Sequence, residues 1–290
     1  MRFGILGTTV VWRGDGSEAV VGGPALRALL GLLLADPGQV VTTHTLIADL
    51  YGDRVSGDMG HALQSQISRL RRVLAPVVID SVPAGYRLSV DVDDVDAGRF
   101  ERLAEAGRRA LADGLPPRAA VILADALALW RGDAFADVPD VPAVRALAHR
   151  LEERRLAASE DWLEARLRIG EHHVLIAELR ELVARHPLRE RLQGLLLGAL
   201  GAAGEQAQAL AVYAEYRRRL ADEFGADPST ELEAIHLSLL RGAGPAASPE
   251  PGEIGPARVG HSGRGAGLTS FVGRAGTSTG SASCWPGTGW

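Results

Sequence analysis

Ala62-Leu63-Gln64-Ser65-Gln66-Ile67-Ser68-Arg69-Leu70-Arg71-Arg72-Val73-Leu74 is the stretch that decides how the N-terminal half is read. Leu63, Ile67, Leu70 and Leu74 are spaced by four, three and four residues, the period of one buried helix face. With that stripe turned inward, the opposite face carries His61, Gln64, Ser65, Ser68, Arg69 and Arg72. These are amide, hydroxyl and guanidinium groups. Glutamine can bond an adenine edge twice, arginine can do the same with guanine O6 and N7, and serine suits a base or a phosphate. Arg69, Arg71 and Arg72 add positive charge where two phosphate backbones flank a groove. Taken alone, such a helix reads as an amphipathic helix with a solvated polar face. Its neighbours shift the reading towards DNA.

Upstream, Phe3 to Gly7 and Thr9 to Trp12 are short β-rich runs, and Arg13-Gly14-Asp15-Gly16 is a turn cluster before Ala19-Val20-Val21. Pro24 opens a helix at a first-turn position. Its apolar residues Leu26, Leu29, Leu30, Leu33 and Leu34 keep helical spacing, and Asp36-Pro37-Gly38 ends it. Val40-Val41 is an extended bridge; Thr42 or Thr43 then caps a second helix running through Leu46, Ile47 and Leu50. The quoted stretch belongs to a third helix, over about 57–74. Beyond Pro76, Val77-Val78-Ile79 and Tyr86 to Val90 flank Ser81-Val82-Pro83-Ala84-Gly85 as a β-hairpin. Gly85 is expected at its tight tip and Tyr86 in the core beneath it. Arg87 lies on the returning strand, where it could reach a phosphate. Strands, three helices and a hairpin make a winged helix-turn-helix, whose third helix enters the major groove.

From Asp96 the pattern is helical almost without interruption, with helices expected near 97–113, 117–130, 140–168, 171–185, 188–202, 205–222 and 229–240. Ile176 to Pro187 recurs loosely in Ala209 to Pro228, which suggests tetratricopeptide-like helix pairs. Trp130, Trp162, Leu163, Tyr213 and Tyr216 are assigned to packing rather than to a ligand groove. The fold class is therefore mainly α: an N-terminal winged helix-turn-helix (α+β) over 1–92, then an all-α tetratricopeptide-like helical-repeat domain over 96–241. Residues 242–290, rich in Gly, Pro, Ala and Ser, read as a flexible tail, and 275–290 show no periodicity.

Composition narrows the function. No run of 18 apolar residues is present, which argues against a membrane helix, and the first residues do not form a signal peptide. The single cysteine, Cys284, cannot form an internal disulfide, so a reducing cytoplasm is expected. All 31 basic residues are arginine, and a Walker A site, which needs lysine, is excluded. The net charge of −5 is uneven: residues 1–90 hold eight arginines against seven acidic residues, and residues 91–240 hold 19 against 27. DNA contact must come from local clustering. His172-His173, His186 and His236 are too scattered for a metal site, and no cofactor or catalytic set is expected. The Asp91 to Asp96 cluster lacks the glycine and terminal glutamate of a calcium loop and reads as a solvated linker.

With these residues in hand, the chain resembles the antibiotic regulatory proteins of actinobacteria from Arg2 to about Leu240. The markers are Arg2 to Gly7, Gly23-Pro24 with Arg27 to Leu30, Leu63 to Arg71, Gly85 to Leu88, Phe100 to Leu103, Leu129 to Gly132 and His186 to Leu192. The resemblance implies a response-regulator-type winged helix joined to a bacterial transcriptional activation domain. It further implies binding to short direct repeats of double-stranded DNA near promoters, where a homo-oligomer is one arrangement and the number of copies is not set by the sequence. RNA polymerase holoenzyme would be recruited there to switch on a secondary-metabolite cluster. By position, Gln64, Ser65 and Arg69 match base-facing sites, and Gln66, Ser68, Arg72 and Arg87 match sites near the backbone; Arg71 joins these by its charge. Two positions depart from the pattern. Ala25 and Leu26 stand where a basic and an amide residue are usual, and Val82 stands where the wing tip often carries arginine. Leu268 to Arg274 looks like the opening of a nucleotide-binding domain that larger members append, so a truncated, non-functional remnant of such a regulator is one alternative. A helical-repeat interaction scaffold is another.

Overall fold

Three short strands begin the chain: β1 (Arg2–Gly4), β2 (Val10–Trp12) and β3 (Glu18–Ala19), paired antiparallel in that order. The structure is a computed structural model that describes residues 1–52, 59–138 and 141–242. The expected tail beyond Gly242, with Leu268 to Arg274, lies outside the described residues.

Helix α1 (Pro24–Leu34) starts at Pro24, whose fixed φ suits a first turn. It is buried nearly all round, from Leu26 to Leu34 apart from Arg27, because elements pack on every side of it. Strand β4 (Val40–Thr42) leads into α2 (Thr43–Tyr51), and the Thr42 hydroxyl caps that helix by accepting the Thr45 N–H at 3.0 Å. Helix α3 (Met59–Leu74) buries Leu63, Ile67, Leu70 and Leu74 against α1 and α2. Each such side chain stabilises the fold by roughly 1.5–3 kcal/mol relative to exposure.

The hairpin comprises β5 (Ile79–Val82) and β6 (Gly85–Leu88), and β6 pairs on its other edge with β4. Two expectations are corrected here. The first hairpin strand begins at Ile79, and Val78 is exposed, because the register Ile79↔Leu88 and Val82↔Gly85 is what buries Ile79 and Leu88. Gly85 is required less by the turn than by β4: a Cβ there would collide with the Val41 carbonyl oxygen. Tyr86 is buried, as expected.

The helical half runs α4 (Asp96–Ala112), α5 (Pro116–Leu127), α6 (Pro142–Arg168), α7 (His172–Arg185), α8 (Glu190–Ala202), α9 (Gln206–Phe224) and α10 (Thr230–Leu240). These fall within a few residues of the expected spans. One apolar core runs from the N-terminal sheet through α1 and α3 into α4, α5 and residues of α6 from Val144 to Ala165. A second lies among Leu156 and Leu163 of α6 and helices α7 to α10. The 27-residue α6 is common to both. Trp130, Leu163, Tyr213 and Tyr216 are buried and Trp162 half-buried, so the aromatic residues do serve packing. Phe100 meets Trp130 edge-on at 5.4 Å, and Tyr213 stacks on His236 at 3.9 Å. Among the described residues no helix is long and apolar enough to cross a membrane.

Candidate nucleic-acid interface

Because α3 turns its aliphatic stripe towards α1 and α2, its polar residues have only one way to point. Gln64, Ser65, Ser68, Arg69 and Arg72 are exposed, and none of their side chains engages another described residue through a hydrogen bond or ion pair. Five uncommitted polar side chains on consecutive turns form a surface whose hydrogen-bonding capacity faces outward. A helix with its side chains measures about 10–12 Å across, and the major groove is about 12 Å wide. The two fit.

The remaining residues expected near DNA have work inside the protein. Gln66 donates from Nε2 to the Tyr51 hydroxyl at 2.9 Å, tying α3 to α2. Arg71 folds back onto the hairpin, donating to the Ile79 carbonyl at 2.6 Å and to Ser81 Oγ at 2.7 Å from Nη2. Arg87 pairs with Asp80 at 3.0 Å, and the Ser89 hydroxyl donates to the same carboxylate oxygen at 2.7 Å. Ser89 and then Arg87 hold the Asp80 carboxyl below its ordinary range. The hairpin is thus fastened to α3 by Arg71 and braced across its own strands by Arg87.

A second cluster fixes the helical half against this unit. Asp96 opens α4 with only 7% of its surface exposed, which corrects its reading as part of a solvated linker. Its Oδ1 accepts the Ile5 N–H at 2.8 Å, its Oδ2 accepts the Leu6 N–H at 3.1 Å, and Arg131 pairs with Oδ2 at 3.1 Å. Burial raises the Asp96 pKa, against the opposing pull of the two N–H groups and Arg131. Three backbone bonds run alongside: Arg131 N–H to the Leu6 carbonyl, Phe135 N–H to Ile5, and Ala136 N–H to Gly7, at 2.8, 3.0 and 3.1 Å. Asp137 accepts the Thr9 N–H at 2.7 Å and pairs with Arg27 of α1 at 2.9 Å. Docking therefore uses β1, the β1–β2 loop and α1, and it leaves the polar face of α3 uncovered.

Comparison with known proteins agrees with this architecture. The family model "Transcriptional regulatory protein, C terminal" matches residues 17–88, and "Bacterial transcriptional activator domain" matches residues 95–240. Regulatory protein DnrI of Streptomyces peucetius is 35% identical over 226 residues, covering 74% of this chain and 83% of its own length. The chain belongs to the antibiotic regulatory proteins of actinobacteria. Regulatory protein AfsR of Streptomyces coelicolor is 40% identical over 83% of this chain, which spans about a quarter (24%) of that protein. A solved structure of Mycobacterium tuberculosis EmbR, in complex with a low-affinity phosphopeptide, superposes with a TM-score of 0.79 at 33% identity, covering 83% of this chain and 65% of that one.

In this member of the family, several sequence markers turn out to be structural. Arg131, within the Leu129 to Gly132 marker, is the partner of Asp96. The His186 to Leu192 marker holds α8 against α6. Arg189 pairs with buried Glu160 at 2.8 Å and with Glu153 at 3.1 Å, and Arg191 reaches Asp161 at 2.6 Å and Glu164 at 2.7 Å. Arg108 of α4 completes the cluster at 3.1 Å from Asp161. Glu190 accepts the Ser229 N–H at 2.7 Å, which ties α10 to the same point. Sequence alone does not single out Glu160 and Asp161, because two adjacent acidic residues in a charged helix carry no mark of burial.

Proposed function

We propose that the chain is a sequence-specific DNA-binding activator that lays α3 in the major groove of direct repeats near promoters. Gln64, Ser65 and Arg69 read base edges, and Ser68 and Arg72 meet phosphates. Gln66, Arg71 and Arg87 sit at the same border, where their chief contribution is to hold α2, α3 and the wing in register. The helical half recruits RNA polymerase holoenzyme, and the target is a secondary-metabolite cluster, the role that family membership suggests. Copies of the chain assemble side by side on the repeats, in the cytoplasm at the nucleoid. The observation that carries this reading is the run of five exposed, uncommitted polar residues on a helix whose other face is fully packed.

Footprinting on the promoter regions beside the gene tests it, with gel shifts of Arg69→Ala alongside. Protection of a repeated element by the native chain, and loss of its sequence preference in Arg69→Ala, are expected. Loss of one bidentate arginine–guanine pair corresponds to about 1–3 kcal/mol of discrimination. Retained preference in the variant would refute the assignment of Arg69.

A further inference from the structure

A cleft of about 730 Å³ opens where the N-terminal sheet meets the helical half, within the size range of small-molecule sites. Arg2, Trp12 and Arg13 line it from β1, β2 and the turn that follows. Asp94, Arg99 and Leu129 line it from the other side, with the Asp96–Arg131 pair at its base. No residue of α3 takes part.

The charges in this cleft do not balance. Arg131 is committed to Asp96 and to the Thr8 carbonyl at 3.0 Å. Arg13 donates to Ser17 Oγ and the Glu18 carbonyl, both neutral, with Asp15 beside it outside the cleft. The guanidinium groups of Arg2 and Arg99 engage no other described residue through a hydrogen bond or ion pair. Once Arg131 and Asp96 are set against each other, three guanidinium groups face one carboxylate, that of Asp94. In the ion cluster around Glu160 and Asp161, by contrast, every arginine has a carboxylate partner. Like charges gathered from two halves of a fold repel, and a bound anion removes that repulsion. Guanidinium groups match phosphate oxygens in geometry as well as charge. Trp12 and Leu129 add an apolar wall. The Trp12 ring is held in place, because it packs so closely over Gly4 that a Cβ there would lie 2.7 Å from its Cη2 atom.

We propose that this cleft binds a small phosphorylated molecule, its anionic end on Arg2 and Arg99 and its apolar part against Trp12 and Leu129. Such a ligand touches both halves of the protein and stabilises their docked arrangement. The proposal does not rest on the DNA-reading assignment.

Calorimetric titration and thermal melting of the full chain, with ADP and with pyrophosphate as probes and no DNA present, test it. ADP is expected to bind saturably at one site and to raise the melting temperature with concentration, as linkage requires. Pyrophosphate, lacking the apolar part, should bind more weakly. The double variant Arg2→Gln/Arg99→Gln should weaken ADP binding by about tenfold or more, the effect of losing charge-assisted hydrogen bonds. Without ligand it should melt no lower than the native chain, and it should keep its affinity for promoter DNA. The proposal is overturned by absence of saturable binding, by unchanged ADP affinity in the double variant, or by pyrophosphate binding as tightly as ADP. Loss of DNA affinity in the double variant would also overturn it, by assigning these arginines to DNA phosphates.

Discussion

Asp96 accepts the Ile5 backbone N–H at 2.8 Å, a contact that joins the first strand to a helix 91 residues later in the chain. Asp96→Asn keeps the shape but points an amide N–H at a donor. A loss of about 2 kcal/mol in urea denaturation is expected, from one unmet backbone N–H and a weakened bond to Arg131. The loss depends on pH. Because burial raises the folded-state pKa above the ordinary 3.8, the folded state binds the proton more readily than the unfolded one. The native chain therefore gains stability from this group as pH falls through the raised pKa, and the asparagine variant does not. The gap between the two should widen from pH 7 towards pH 4; a gap that narrows contradicts the assignment.

Arg71 and Arg72 are adjacent and chemically identical, yet only Arg71 is bonded to the hairpin. Arg71→Ala should lower stability by about 1–2 kcal/mol through loss of its bonds to Ile79 and Ser81. Arg72→Ala should leave the melting temperature unchanged and reduce the salt dependence of DNA binding by about one phosphate contact. Identical melting curves for the two variants would contradict this division.

Gly31 lies beneath the Phe135 ring, and a Cβ there would come within 2.8 Å of Cε1. Phe135 is buried and held at φ 56°, a left-handed conformation rare for a bulky residue, so it has little freedom to retreat. Gly31→Ala gains about 1 kcal/mol of helix propensity but should still destabilise the chain by about 1 kcal/mol net through overpacking. Adding Phe135→Leu should recover part of that loss in the same denaturation assay.

Glu160 has 1% of its surface exposed and pairs with Arg189, whose side chain remains about a third exposed. Glu160→Ala should cost about 2 kcal/mol, less than for a wholly buried pair because water can still reach the orphaned guanidinium. Loss of protection from hydrogen exchange should concentrate in α8 and α10, which that corner holds to α6. Uniform loss across the chain would show that the cluster is not local.

How far the sequence reveals all this depends on whether each signal is local. Helices α1 and α5 open on prolines and α3 carries an unbroken aliphatic stripe, so their existence and inward faces follow from spacing alone. The hairpin register does not, because Val77 and Val78 are as β-prone as Ile79, and only pairing with Leu88 selects between them. The division within the site is half visible: spacing puts Gln64 and Arg72 opposite the stripe and leaves Gln66 and Arg71 off that face, but it does not show what the latter two bond. The bonds of Gln66 and Arg71 become legible only once Tyr51, Ile79 and Ser81 are in place.

Asp96 marks the same limit more sharply. In sequence it ends a run of aspartates that suggests solvent, and nothing local separates it from Asp93, which is exposed. Its role is set by Ile5, Leu6 and Arg131, and it can be read only when those are neighbours in space.

Helix α1 is walled on one side by α2 and α3 and on the other by α6 and Phe135, so one continuous interior serves both halves. Turning one half against the other would open that shared interior. On the reading proposed above, each base pair of shift along DNA turns the whole molecule by about 34° around the duplex, since ten to eleven pairs complete a turn. The bearing of the helical repeats towards a promoter would then be written into the spacing of the operator, and half a turn of added DNA would leave them facing away.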